Sequence, residues 1–326
     1  MRRLAMTVAL LAVPMATVSS AHAAFPGRNG VIAVEVERDP PNPSGVWALF
    51  PGHRVRPLIP PPSRGRLDTF QFSPGGRVLA FAYREDGAAD EELGPPDIWI
   101  RSVSRRARAR PMIPKPPGTD FHVTGPTRTW DRQPAWSPDG KSIVFTRFHG
   151  SFFSATLRVY SHGHSRLLTG DGYGAAWSVR NEIAFVRYTH RADDLPVIYS
   201  VRPDGMGLRR LAVGSRVGSR PNWSPDGRRL AFVAPGNHIA TVSRDGARRR
   251  SVTKDQRCLD SSPSFSPGGG QLTFTRDNGG GEGDCPTEGL VTSRTNGSRL
   301  RGDLARISPY SDLGFHLDWQ PLRRQR

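Results

Sequence analysis

A turn motif that follows an aromatic residue and recurs about every forty residues, an abundance of glycine and proline, and complementary half-repeats at the two chain ends predict an all-β fold. The expected architecture is a six-bladed β-propeller of four-stranded antiparallel blades, closed by a blade shared between the N- and C-termini. Gly 35 and Pro 30 make up about a fifth of the 326 residues. Both residue types end strands and build turns, so this composition favours many short strands over long helices.

The motif appears as Phe72-Ser73-Pro74-Gly75-Gly76 before Val78-Leu79-Ala80-Phe81, and as Trp136-Ser137-Pro138-Asp139-Gly140 before Ile143-Val144-Phe145. A degenerate copy, Trp177-Ser178-Val179-Arg180-Asn181, precedes Ile183-Ala184-Phe185. Trp223-Ser224-Pro225-Asp226-Gly227 precedes Leu230-Ala231-Phe232, and Phe265-Ser266-Pro267-Gly268-Gly269 precedes Leu272-Thr273-Phe274. Successive aromatics lie 64, 41, 46 and 42 residues apart, and a period of about forty is that of one four-stranded blade.

The motif joins the first strand of each repeat to the second. A third strand such as Asp97-Ile98-Trp99-Ile100 or Val197-Ile198-Tyr199-Ser200 follows. A turn such as Pro203-Asp204-Gly205, Arg244-Asp245-Gly246 or Thr295-Asn296-Gly297 then leads into a basic fourth strand. Asp-Gly and Asn-Gly between strands mark tight hairpins whose backbone needs positive φ.

The ends complete the ring. Gly30-Val31-Ile32-Ala33-Val34 reads as a second strand with no first strand before it, and Leu317-Asp318-Trp319-Gln320-Pro321 as a first strand with no second after it. Together they make a sixth blade, so the ring closes without free sheet edges. The repeated Trp136, Trp177, Trp223 and Trp319 are expected to be inter-blade core, with no ligand role.

The pattern P-x-W-S-P-D-G followed by I-x-F or L-x-F, present at residues 134–145 and 221–232, resembles the TolB-like (WD40-like) β-propeller repeat family. The resemblance spans nearly the whole chain after its leader and implies the fold more strongly than any function. TolB proteins carry a smaller α/β domain before the propeller, and the expectation here is a propeller without it. Similar repeats precede the hydrolase domain of prolyl-oligopeptidase-type peptidases, which is not expected either.

Residues 1–23 read as a secretory signal peptide and 24–326 as one propeller domain. Arg2 and Arg3 precede an apolar run from Leu4 to Val18, and Ala21-His22-Ala23 offers small residues where a signal peptidase reads. The run is shorter than the roughly 20 residues of a spanning helix. No cysteine lies near the cleavage point, so the expected product is secreted or periplasmic and carries no lipid. Cys258 and Cys285 suit an oxidising compartment and one disulfide between them, although two independent thiols also fit the sequence.

The formal net charge is +17, and 43 of the 46 basic residues are arginine, lysine occurring only at Lys115, Lys141 and Lys254. Such a surface could attract an anionic polymer or a lipid surface, whereas export argues against specific nucleic acid binding. Base composition of the genome explains the arginine bias equally well.

In a ring of such blades the first-to-second and third-to-fourth strand turns share one face. The second-to-third strand loops and the inter-blade connections share the other. The first class is short; the second holds the insertions at 84–96, 114–133, 148–155, 188–196, 277–289 and 305–316. Long loops on a rigid scaffold are where binding resides, so the loop-rich face and channel mouth are expected to meet a protein, peptide or glycan partner. Trp130, Asp131 and Arg132, placed in the longest connection near the channel mouth, could grip a peptide or sugar; the same trio equally suits packing of that loop over the ring.

Motifs for catalysis are missing: there is no Gly-x-Ser-x-Gly, no His-Glu-x-x-His and no phosphate-cradling loop. No catalytic residue, metal ligand set or cofactor is assigned, and a monomer is expected. His162 and His164 form a close pair without a visible third ligand, so an exposed turn is the better reading. The acidic run Glu85, Asp86, Asp90, Glu91 and Glu92 reads as a solvated loop, and Arg101, Arg105, Arg106, Arg108 and Arg110 as charges on outer strands that discourage edge pairing. The competing reading is an exported hydrolase or lyase acting on sugars or peptides from a site in the central channel. N-terminal sequencing of the exported protein should begin at Ala24; a start at Met1 would remove the reading of 1–23 as a cleaved signal peptide.

Overall fold

The computed structural model describes residues 25–36, 45–50, 54–59, 66–84, 97–104, 107–113, 129–187, 195–214, 220–277, 285, 289–302 and 313–322. The leader at 1–23 and most residues of five expected insertions (85–96, 114–128, 188–194, 278–284 and 303–312) lie outside them, as do Glu85, Asp86, Asp90, Glu91, Glu92, Arg105 and Arg106. Among the described residues no helix is long and apolar enough to cross a membrane.

Six antiparallel sheets form a ring. From the channel outward, blade 1 consists of Leu313–Leu322, Arg28–Val36, Gly45–Phe50 and Arg54–Ile59. Blade 2 consists of Arg66–Phe72, Val78–Arg84, Asp97–Ser102 and Arg110–Pro111, and blade 3 of Thr129–Trp136, Ser142–His149, Ser151–Ser161 and His164–Thr169. Blade 4 consists of Tyr173–Trp177, Ile183–Arg187, Val197–Val201 and Arg209–Val213, and blade 5 of Asn222–Trp223, Arg229–Ala234, His238–Ser243 and Arg249–Ser251. Blade 6 has Leu259–Phe265, Gln271–Asp277 and Gly289–Arg294, with its fourth strand reduced among the described residues to a bridge between Thr292 and Arg301. The inner strands touch their neighbours in cyclic order, the last meeting the first.

The shared blade forms as the half-repeats require. Ile32 pairs with Trp319, Ala33 with Asp318 and Val34 with Leu317. The adjacent motif turn locks onto this strand: Gln320 Nε2 donates to the Gly76 carbonyl at 2.7 Å. Gly76 has φ +65°, and a Cβ there would lie 2.1 Å from the Pro321 carbonyl oxygen, so the second glycine of this copy is required by both conformation and contact.

The Ser-Pro-Asp-Gly turns explain their own sequence. Asp139 Oδ1 accepts the Ser137 hydroxyl at 2.6 Å and the Lys141 N–H at 3.0 Å, while Ser137 Oγ accepts the Ser142 N–H at 2.9 Å. Blade 5 repeats this with Asp226, Ser224, Arg228 and Arg229. In the degenerate copy Asn181 takes the left-handed position at φ 58° and accepts the Trp177 Nε1–H at 3.0 Å. The third-to-fourth strand turns lie beside the motif turns, since Arg244 N–H donates to the Arg228 carbonyl and Thr295 N–H to the Gly270 carbonyl. The short turns therefore share one face.

The motif aromatics are the inter-blade core. Trp223 is fully buried among Ala176, Val186 and Ile198 of blade 4, and Trp136 packs with Ala80, Ala82 and Ile98 of blade 2. Trp319 packs with Leu290 of blade 6. Each tryptophan thus covers the blade behind it, and stacking blades buries surface that no single sheet could cover alone.

The expected loop at 148–155 is almost entirely strand. Ser142–His149 and Ser151–Ser161 run through residues 148–155, turning at Gly150, with the irregularity absorbed as a shift between Ser151 and Ala155. Phe148 is buried there, so the apolar alternation of the second strand extends further than the turn signals suggest. Cys258 and Cys285 form a disulfide with Cα atoms 5.2 Å apart, tying the start of the inner strand of blade 6 to its second-to-third strand connection. Closing this loop stabilises the fold by about 3 kcal/mol on the chain-entropy account.

Removing Leu317 onward should destabilise the whole ring. Losing a buried tryptophan alone costs about 3–5 kcal/mol, and each kcal/mol shifts Tm by about 2–4 °C in a domain of this order of size. The shortened protein should melt at least about 10 °C lower, with all blades losing hydrogen-exchange protection together; an unchanged melting curve would refute closure by the ends.

Candidate functional site

The inner strands surround a polar channel. Thr69, Gln71, Gln133, Arg220, Asn222 and Asp318 contribute polar side chains to a cavity of about 40 Å³, together with Pro134, Pro221 and the Gly174–Ala176 backbone. Five blades supply these residues.

The wall carries a repeated distortion. Three residues before the motif aromatic, the inner strand turns left-handed: Thr69 at φ 39°, Gln133 at 59°, Gly174 at 63° and Ser262 at 50°. Each coincides with a register shift against the second strand, the signature of a β-bulge. Glycine adopts this conformation freely, whereas at threonine, glutamine and serine it is held at a cost of about 1 kcal/mol or more each.

Hydrogen bonds between blades hold the bulges. Thr69 Oγ1 accepts the Gln133 N–H at 3.0 Å, and Gln133 Oε1 accepts the Gly174 N–H at 2.8 Å and the Thr146 hydroxyl at 2.9 Å. Thr69 and Gln133 each sit at the bulge of one blade and take the bulge N–H of the next. One turn of strand further on, a second set repeats this logic. The residue just before the motif aromatic accepts the N–H of the following blade's aromatic: Asp318 from Phe72 at 2.9 Å, Gln71 from Trp136 at 2.7 Å, and Asn222 from Phe265 at 3.0 Å.

Asp318 is the ionisable member of that second set. Burial pushes its carboxyl up to about 7, against the opposing effect of the Phe72 N–H. A carboxyl in this environment is poised near neutrality, which is a property of functional sites as well as of structural ones.

The trio expected to grip a ligand lies on the inner strand of blade 3, because Thr129–Trp136 pairs with Ser142–His149 from its first residue. This corrects its placement in an inter-blade loop: in the register Trp130 faces Phe148 and Asp131 faces Arg147, both on the second strand. Trp130 stacks on Phe148 with centroids 5.7 Å apart. Asp131 is buried and accepts both Arg147 Nε–H and Nη2–H at 2.7 Å, and this pairing raises the Arg147 guanidinium above its ordinary value. Half-buried Arg132 is opposite Thr146. Gln133 and Pro134, the next two residues, are the ones that line the cavity.

The Asp131–Arg147 clamp has a counterpart in blade 6, where Asp260 accepts from Arg276 at 2.6 and 3.0 Å. Arg147 lies 5.6 Å from the centre of Phe145, Arg276 5.5 Å from that of Phe274 and Arg187 5.5 Å from that of Phe185. The signal is present in the sequence as an arginine two residues after the second-strand phenylalanine. His162 and His164 are exposed, His162 occupying a left-handed turn at φ 51°. Among the described residues no group of three or more histidine, cysteine, aspartate or glutamate side chains could hold a metal ion.

No protein-family model matches the sequence. A curated TolB homolog of Chlorobium chlorochromatii is 29% identical over 119 residues, which cover 36% of this chain and 26% of that protein. The match thus spans about a quarter of the length of the curated relatives. Among solved structures, TolB from Acinetobacter baumannii superposes with a TM-score of 0.60 at 18% identity, covering 90% of this chain and 67% of that one. A chain of the nidogen/laminin complex superposes with a TM-score of 0.58 at 13% identity, covering 90% of this chain and 100% of that one. The chain is a six-bladed β-propeller that resembles TolB proteins in fold and, over about a third of its length, in sequence.

Asp318→Asn tests the buried acid. The folded carboxyl titrates near 7 and the unfolded one near 3.8. The native state therefore holds the proton longer, and stability present below about pH 4 is lost as pH rises through about 7. An asparagine keeps the oxygen that accepts the Phe72 N–H, as Asn222 does in blade 5. The variant should match the parent at pH 4 and exceed it by several kcal/mol above pH 7. Equal melting curves for the two proteins at pH 8 would show that Asp318 titrates normally.

Proposed function

We propose that this protein is an exported, non-enzymatic propeller that holds a protein, peptide or glycan partner on its loop-rich face and at the channel mouth. The observation that carries this reading is the channel itself. Among the described residues its wall lines a cavity of about 40 Å³, room for little more than a few water molecules, whereas a site that encloses a small-molecule ligand occupies roughly 300–1,000 Å³. The polar wall can meet a side chain or chain end inserted from the mouth, and the remainder of a partner must rest on the surrounding face. TolB-like relatives and a propeller seen in a protein–protein complex support a binding role by likeness. The signal-like leader and the Cys258–Cys285 disulfide support export.

A second reading, an exported hydrolase or lyase acting on sugars or peptides, draws on Asp318, an acid shifted to about 7 within the channel wall. Its geometry favours the first reading. Asp318 occupies a position where Gln71 and Asn222 perform the same inter-blade hydrogen bond without any acid. Arg220→Glu reverses a charge in the cavity lining without removing any of the acceptor side chains Thr69, Gln133, Gln71, Asn222 and Asp318. Affinity capture from the native envelope should recover with the parent protein a partner that this variant loses at least tenfold, while Asp318→Asn retains it. Turnover of an oligosaccharide or peptide library that Asp318→Asn abolishes would instead establish the enzyme.

A further inference from the structure

Four of the five large apolar side chains exposed among the described residues lie on third-to-fourth strand hairpins: Leu167 at 53%, Met206 at 60%, Leu208 at 45% and Leu300 at 40%. These hairpins stand at the outer rim of the short-turn face, away from the loops. The rim is continuous from blade to blade. Arg166 Nη2 of blade 3 donates to the Pro203 carbonyl of blade 4, and Arg209 Nη2 of blade 4 donates to the Arg244 carbonyl of blade 5 at 2.7 Å. Gly297 of blade 6 rests against the Val252 backbone of blade 5.

The same hairpins are strongly basic. Residues 161–169, 201–210 and 243–251 hold eight arginines and two aspartates, with no lysine or glutamate. Both aspartates are engaged in their own turns, Asp204 accepting the Met206 N–H at 2.8 Å and Asp245 the Ala247 N–H at 3.0 Å. Glu182, the neighbouring acid, is clamped by Arg209 and Arg244. Arg166, Arg210, Arg248 and Arg250 on these hairpins are exposed.

We propose that this rim docks the propeller onto an anionic phospholipid bilayer. Arginines near such a surface are attracted by about 1 kcal/mol each, and leucine and methionine side chains projecting between them can enter the boundary between headgroups and acyl chains. A soluble polyanion would satisfy the arginines but give the exposed leucines and methionine no contact. Folded hairpins present these groups here, with a left-handed glycine at each turn (Gly163, Gly205, Gly246 and Gly297), so the surface is preorganised. The loop-rich face would then point away from the membrane toward a partner. The inference is independent of the partner-binding reading, because it concerns the opposite face.

The test is co-sedimentation of the mature protein with vesicles of phosphatidylcholine alone and of phosphatidylcholine mixed with phosphatidylglycerol, at low and high salt. Binding should require phosphatidylglycerol and fall as salt rises. Arg248→Ala and Arg250→Ala should each weaken it about fivefold, the equivalent of about 1 kcal/mol. The double variant Met206→Ser, Leu208→Ser, whose changes are on an exposed turn, should lose binding at high salt while melting like the parent. Retention on a dextran sulfate column without vesicle binding would overturn the proposal in favour of a soluble polyanion. Vesicle binding insensitive to these four substitutions, or no binding at all, would overturn it as well.

Discussion

The ring exists because the last strand of the chain completes the sheet begun by the first. Ile32, Ala33 and Val34 find their hydrogen-bonding partners in Trp319, Asp318 and Leu317, nearly three hundred residues away. An open row of blades would leave one inner strand without a neighbour and two blade faces exposed to water. Pairing the ends removes both defects at once, and it places Trp319 against blade 6 and Asp318 against blade 2. Trp319 Nε1–H donates to Thr273 Oγ1 at 2.9 Å, which fastens the seam on its other side.

From that closure follows the character of the channel. Six inner strands converge at a small radius, where successive blades can exchange hydrogen bonds but side chains have little room. The left-handed bulges resolve the crowding by turning backbone N–H groups toward the preceding blade, where Thr69 and Gln133 meet them; Gln71, Asn222 and Asp318 do the same for the N–H of the next blade's motif aromatic. Polar groups in the wall are largely committed to one another. Asp318 takes part at an electrostatic disadvantage, since a carboxylate replaces an amide in a dry setting; partner recognition must build on whatever hydrogen-bonding capacity remains at the mouth.

The architecture was legible because turn chemistry is local. A serine, an aspartate and a left-handed glycine close one turn by themselves, so their recurrence announces the blades. The half-repeats at the ends were legible for the same reason. The channel was not, because nothing in the sequence around Thr69, Gln133 or Ser262 favours positive φ; neighbouring blades impose it. Trp130, Asp131 and Arg132 look like a polar loop in the sequence because the residues before them do, yet Asp131 is matched by an arginine sixteen residues later on the adjacent strand. Such long-range pairings carry no periodicity. The exposed Leu167, Met206 and Leu208 were equally silent, since a leucine in a strand or turn reads as core until its surroundings are known.

Blade 6 is the thinnest of the six, its outer edge held among the described residues by one bridge between Thr292 and Arg301. It also stands next to the seam. The protein's covalent crosslink falls on this blade, anchoring Cys258 at the head of its inner strand to Cys285 beyond its second strand. Chemical reduction should therefore act like loosening a single stave beside the joint of a barrel. Amide exchange after thiol treatment would accelerate first around Leu259–Phe265 and Gly289–Arg294, and a protein moved from an oxidising to a reducing environment would slacken there before anywhere else.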